Sequence, residues 1–231
     1  MDTVFPRMRE WPRGAVERHA GMMSGSLRVG SGRRSGQRFD ARHGVVTEAL
    51  IFLGELDPEH IGDALADATH YEPTPLAQFD ELLRALPIAH DEYTFVDIGA
   101  GMGRVLLLAS TKPFKHIVGV EVSPALCQTA RDNVTKWRES RPDAHCKDVR
   151  VVCKDAASFR FPNGNLVFYL YNPFGESTMR RLVYRIAQEC SGSVFLVYHT
   201  PVHRDVVDEN RCFTPLVDLG FGRVYEKKAA T

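Results

Sequence analysis

Phe95-Val96-Asp97-Ile98-Gly99-Ala100-Gly101-Met102-Gly103-Arg104 is the segment around which the rest of the chain can be ordered. It reads as a short buried strand, a glycine turn and the first turn of a helix that continues through the apolar run Val105 to Leu108. Glycines at alternate positions let the backbone turn sharply and let a ligand lie against bare main chain. The next strand-like run, His116-Ile117-Val118-Gly119-Val120, ends at an acid, Glu121. Strand, glycine turn, helix, strand and acid is how a nucleoside-binding α/β domain opens.

Working outward, the alternation continues. Ser123-Pro124 predicts the start of a helix whose apolar face is Leu126, Ala130, Val134 and Trp137. Val149 to Cys153 predicts a third strand and Asn165 to Tyr171 a fourth, nearly all apolar as for a strand covered on both faces. Met179, Leu182, Val183 and Ile186 mark another helix, and Ser193 to His199 a fifth strand. Phe213 to Leu219 and Arg223 to Glu226 suggest a closing pair around Gly220-Phe221-Gly222. Upstream, Leu76, Phe79, Leu82, Leu83 and Leu86 recur at helical spacing after the extended Pro73-Thr74-Pro75. The expected fold is α/β, a doubly wound, mostly parallel sheet with an N-terminal helical or irregular extension and ligands at the carboxyl ends of the strands.

The glycine spacing selects among nucleoside cofactors. A dinucleotide fingerprint GxGxxG needs a glycine where Arg104 stands, so the pattern is GxGxG, preceded by Asp97. A carboxylate beside the helix N-terminus repels a pyrophosphate and attracts an ammonium group. S-adenosylmethionine carries an amino-acid end, a sulfonium and a ribose, and no phosphate. Asp97 with the turn suits the amino-acid end, and Glu121 suits the two ribose hydroxyls as a bidentate acceptor.

Phe95 to Leu108, Val118 to Ser123 and Lys154-Asp155-Ala156 resemble the successive cofactor motifs of class I S-adenosylmethionine-dependent methyltransferases, a Rossmann-like family, with the likeness running over residues 71–200. The resemblance implies that Asp97, Gly99, Gly101 and Gly103 hold the methionine part and Glu121 the ribose. It also implies that Asp155, with Ala156 beside it, approaches the adenine amino group. Methyltransferases often fold the segment before the first strand over the cofactor, which makes Tyr71 and Thr74 candidate contacts. Arg104 opposes the helix dipole in its first turn, so pairing with Asp97 or with the cofactor carboxylate is expected.

Two strand ends carry candidate chemistry. Asn172-Pro173-Phe174 resembles the Asn-Pro-Pro-Tyr motif of amino- and amide-directed methyltransferases, with one proline missing and Phe for Tyr. An asparagine carbonyl at such a position can hold an amine by its N–H groups, so Asn172 is a candidate for positioning a nitrogen acceptor, a protein side chain or a small amine. His199, at the end of the fifth strand, is a candidate base for a hydroxyl acceptor. The competing readings are an O-methyltransferase of a small molecule and a NAD-dependent oxidoreductase. A non-catalytic, RNA-associated module is a third.

Composition adds bounds. The 231 residues suffice for one sizeable core, and a net charge of zero gives no overall pull toward nucleic acid or anionic membrane. No apolar run approaches membrane-spanning length. Five cysteines without a CxxC pair indicate reduced, cytoplasmic usage. His145, Cys146 and Cys153 suggest no metal site, because Cys153 falls in a strand expected to be buried, where cysteine acts as a small hydrophobe. Residues 1–43 hold nine arginines against four acids and few large aliphatics. They read as a flexible basic arm, the one place where nucleic acid contact is expected. Residues 44–90 read as a cap region with the leading helix, and 91–231 as the cofactor-binding domain. Within the cap, Val45 to Leu53 fits strand or helix, and Pro58 suggests a helix start.

Overall fold

The computed structural model describes residues 31–49 and 72–227, with side chains from residue 35 onward. Among the described residues, seven strands form one sheet: β1 Tyr93–Ile98, β2 His116–Glu121, β3 Val149–Cys153, β4 Asn165–Tyr171, β5 Val194–His199, β6 Phe213–Asp218 and β7 Gly222–Lys227. Their order is β3-β2-β1-β4-β5-β7-β6. β1 to β5 run parallel, whereas β7 is antiparallel to both β5 and β6. The chain winds outward from β1 to β3 and then crosses back to start β4 on the other side. The crevice at the carboxyl ends of β1 and β4 is therefore the topological switch point, where α/β sheets bind ligands.

Among the described residues, six α-helices cover the sheet: α1 Ser31–His43, α2 Leu76–Arg84, α3 Arg104–Ala109, α4 Pro124–Ser140, α5 Glu176–Glu189 and α6 Arg204–Asp208. One apolar layer joins Phe79, Leu82, Leu106, Val134 and Trp137 of α2 to α4 with Phe95, Tyr169 and Val197 of the strands. The other joins Met179, Leu182, Ile186 and Val206 of α5 and α6 with Val96, Phe168 and Leu196. β1 and β5 are buried at every position, which explains their near-continuous apolar sequences. The α4 start is set by Ser123, whose hydroxyl accepts from the Leu126 N–H, and by Pro124 in the first turn. Pro215 is tolerated because β6 is an edge strand, with a bulge between Pro215 and Val217.

Three sequence expectations need correction. β3 is the other edge of the sheet, so Cys153 is exposed. Among the described residues no group of three or more His, Cys, Asp or Glu is placed to hold a metal ion. The flexible arm does not extend to residue 43, because Ser31–His43 is helical. Phe39 packs on the core, with its ring 5.4 Å from Trp137, and His43 lies 4.6 Å from the same indole. One aromatic at the right turn anchors a helix that average composition hides. Beyond it, residues 45–49 form an irregular strap rather than strand or helix. The helix start at Pro58 lies outside the described residues, and among those described no helix is long and apolar enough to cross a membrane.

Candidate cofactor site

The glycine turn after β1 has the conformation its composition requires. Gly99, Gly101 and Gly103 have φ of 82°, 52° and 83°, in the left-handed region that side chains resist. The Gly99 and Ala100 N–H groups both donate to the Val120 carbonyl, folding the turn over the end of β2. Gly103 caps α3, and a Cβ there would lie 3.1 Å from that of Ala130, so its lack of a side chain also permits close approach to α4.

Glu121 is fixed by this turn. Its Oε2 accepts from the Gly101 N–H and its Oε1 from the Ser123 N–H, both at 2.9 Å. Asp97 is only 3% exposed, and its Oδ2 has no hydrogen-bond partner among the described residues. Burial raises both carboxyl groups above the usual range, and the neighbouring Glu121 charge raises Asp97 further, well above its ordinary value. A buried acceptor without a donor is costly, and a cationic donor would resolve both the missing bond and the charge.

These groups open into one cleft of about 880 Å³, counting the solvent-filled space at its mouth. Asp97, Gly99, Gly101 and Glu121 line it beside Asp155, Ala156, Val122 and Leu126. The far wall is Glu72, Thr74, Tyr169, Tyr171, Pro173 and Phe174. Asp155 spends one oxygen on the Ala157 N–H and sits beside Lys154. Carboxylates spaced along a bare main-chain turn, with apolar walls between them, suit a phosphate-free nucleoside carrying an ammonium group.

A family described as "Putative methyltransferase" matches residues 91–170, from the start of β1 to the end of β4. Solved structures give the same fold. A predicted N6-adenine-specific DNA methylase from Listeria monocytogenes superposes with a TM-score of 0.52 at 12% identity. The match covers 68% of this chain and 52% of that one. By fold and by the matched segment, the chain is similar to S-adenosylmethionine-dependent methyltransferases. An RNA methyltransferase from Salinibacter ruber, in complex with S-adenosyl-L-homocysteine, is 21% identical with a TM-score of 0.46, covering 67% of this chain and 92% of that one. An rRNA methylase from Streptococcus thermophilus is 16% identical with a TM-score of 0.42, covering 67% and 95%. No curated protein matches the sequence.

The fold brings together most of the residues singled out from sequence. Asp97, Gly99, Gly101, Glu121, Asp155, Ala156 and Thr74 all line the cleft, and the Thr74 hydroxyl bonds the buried Tyr169 hydroxyl at 3.2 Å. Tyr71 lies outside the described residues.

Arg104 also borders the cleft but does not pair with Asp97. Its guanidinium reaches 2.7 Å to Glu48, 2.7 Å to the Thr47 hydroxyl and 3.5 Å to Asp40, over the Phe39 ring. The cation at the start of α3 is thus offset by carboxylates from α1 and the strap, which sequence spacing could not show.

His199 is not in the cleft. It is 1% exposed, its Nε2 bonds Gln78 Oε1 at 2.8 Å, and the Tyr171 ring lies 4.2 Å away, on the cleft side. Burial lowers its pKa to about 4, which leaves the imidazole neutral at neutral pH and out of reach of an acceptor. Asn172 is likewise absent from the lining: its Oδ1 is 3.5 Å from the Tyr198 hydroxyl. Its backbone is left-handed, with φ of 39°, and the neighbouring strand end has Thr200 at φ 47°. Two strained residues side by side, after the paired Tyr171 and His199, mark a rim held in place by its surroundings.

Sequence reasoning missed Tyr169, Tyr171 and Glu72. The two tyrosines lie two residues apart at the carboxyl end of β4, so they share a face, and that alternation was the available signal. Nothing local to Glu72 distinguishes it.

Proposed function

We propose that this methyltransferase transfers the methyl group of S-adenosylmethionine to a nitrogen atom of its acceptor. The observation that supports the cofactor assignment is the buried Asp97 Oδ2, which has no hydrogen-bond partner among the described residues and borders the cleft, a receptor for the ammonium of the methionine part. Glu121 has both oxygens oriented by backbone N–H groups, which leaves its outer lone pairs for the ribose hydroxyls. Asp155 and Ala156 stand where the adenine edge would lie. Bound there, S-adenosylmethionine supplies an electrophilic methyl carbon on a sulfonium.

The acceptor assignment rests on the remaining wall. With Asp97, Glu121 and Asp155 given to the cofactor, the carboxylate left in the cleft is Glu72. The Tyr171 phenol hydrogen-bonds it, and burial, with the Glu72 charge and this bond adding to it, pushes the phenol up to about 12. A carboxylate with a neutral phenol beside aromatic Phe174 attracts an amine and holds its N–H groups. His199, the base expected for a hydroxyl acceptor, is sealed behind Tyr171, which favours nitrogen over oxygen. Asn172 acts in this scheme through its backbone: the left-handed turn directs Pro173 and Phe174 into the cleft. Rate enhancement comes from aligning the acceptor and excluding water.

The neighbours' names place RNA and DNA, beside protein side chains and small amines, among the acceptors to test. Incubating the protein with methyl-labelled S-adenosylmethionine and fractionated extract, then locating the label by fragmentation, tests the proposal. Methyl on nitrogen is expected. Methyl on oxygen or carbon overturns the acceptor assignment, and no transfer into any fraction overturns the activity.

A further inference from the structure

We propose that Cys127 and Cys153 form a reversible disulfide that loosens the cofactor site, making it responsive to hydroperoxides. The effect on binding rests on the cofactor assignment above; formation of the bond does not.

The two cysteines are far apart in sequence but meet across the end of β2. Cys153 is paired with Glu121 in the parallel register of β2 and β3, and Cys127 lies in the first turn of α4, which starts just after Glu121. The two thiols are neighbours, near enough that Cys153 adds to burial in raising the Cys127 thiol above its usual value. Each also donates to a carbonyl of the same two-residue turn: the Cys127 Sγ to Glu121 O at 3.3 Å, the Cys153 Sγ to Val122 O at 3.8 Å. Glu121 and Val122 both line the cofactor cleft, whereas neither cysteine does. One thiol is fully buried and the other is exposed. That asymmetry suits an entry thiol with a resolving partner behind it.

The chemistry balances with a hydroperoxide as oxidant. The Cys153 thiolate attacks the outer peroxide oxygen, the O–O bond breaks, and an alcohol (or water, from hydrogen peroxide) leaves, giving Cys153 sulfenic acid. The Cys127 sulfur then attacks the Cys153 sulfur, the S–O bond breaks, and water departs with the thiol proton. Two thiols lose two electrons and the peroxide bond gains them. Burial and the neighbouring sulfur hold the Cys127 thiol well above its usual value, so the second step is the slow one. Closing the bond removes both S–H donors from the Glu121 and Val122 carbonyls and ties β3 to α4 across them. The turn that presents Glu121 must shift.

The test uses the full chain, treated with hydrogen peroxide or with dithiothreitol and digested after alkylation. Peptide mapping is expected to show a Cys127–Cys153 disulfide in the oxidised sample. Calorimetry is expected to show S-adenosylhomocysteine binding at least about fivefold weaker than in the reduced sample, the factor that losing one net hydrogen bond gives. Dithiothreitol restores affinity, and Cys153→Ser binds like the reduced protein whether or not it is oxidised. Absence of the 127–153 disulfide, or its presence with unchanged affinity, overturns the proposal. Reduced protein that binds no cofactor at all would instead overturn the cofactor assignment, leaving disulfide formation to be judged by the peptide map alone.

Discussion

Asp97 concentrates the physics of the site in one carboxyl group. Its position at the end of β1 was legible from sequence, because an acid before a glycine turn is unusual for a phosphate binder. Its missing partner was not, since that depends on which donors the fold brings near. Burial raises its folded-state pKa above the unfolded value, so the ligand-free protein holds a proton that the unfolded chain releases. The contribution to stability is therefore full below the unfolded carboxylate range and is lost as pH rises through the folded value. An ammonium ligand prefers the ionised form, so cofactor binding should release a proton and tighten across the same range. Asp97→Asn is expected to stabilise the ligand-free protein by about 1 kcal/mol in urea unfolding at neutral pH, while weakening cofactor binding by roughly 1.5–3 kcal/mol in calorimetry. A variant that binds as tightly as the wild type would show that Asp97 is not the ammonium receptor. His199 gives the opposite lesson. At a strand end it looks like a base, yet the ring packing of Tyr171 and its bond to Gln78 make it structural. His199→Gln should lower Tm and keep turnover within about threefold, since the bond at risk is worth about 1 kcal/mol. Turnover without an inflection in the usual histidine range would agree with its pKa of about 4.

At the scale of elements, α1 and the strap are bolted to the cofactor loop. Arg104 opens α3 directly after Gly103 and meets Asp40, Thr47 and Glu48. Asn133 of α4 accepts from the Val46 N–H and donates to the carbonyls of Val46 and Met102, tying the strap to the glycine turn. Strands and helices from β1 onward were legible because buried parallel strands write themselves as apolar runs. The α1 helix was not, because its stability comes from tertiary contacts of Phe39 and Asp40 rather than from its arginine- and glycine-rich composition. Arg104→Met removes the cation while keeping most of the side-chain volume and breaks the buried ion pair with Glu48. A loss of about 3 kcal/mol in chemical unfolding is expected, the range for breaking a buried ion pair. Binding should weaken as well, since α3 and its turn lose their brace. A loss below about 0.5 kcal/mol would show that the strap is not energetically coupled to the core.

For the whole molecule, the doubly wound sheet gathers Asp97, Glu121 and Asp155 on one rim, at the switch point between β1 and β4. That rim was foreseeable from the order of motifs. Which side chains close it from the other side was not, because Glu72 and Thr74 come from a segment whose path is set by packing rather than periodicity. A ligand that binds only the folded state stabilises it by mass action, about 2.7 kcal/mol at a hundredfold excess over Kd. Thermal shifts and calorimetry can therefore compare nucleoside cofactors on equal terms. Isothermal titration of the reduced protein with S-adenosylhomocysteine, repeated in buffers of different ionisation enthalpy, and with NAD as a control, tests the cleft as described. One site per chain, proton release on binding and no heat with NAD are expected. No binding of S-adenosylhomocysteine, or preferential binding of NAD, would contradict it.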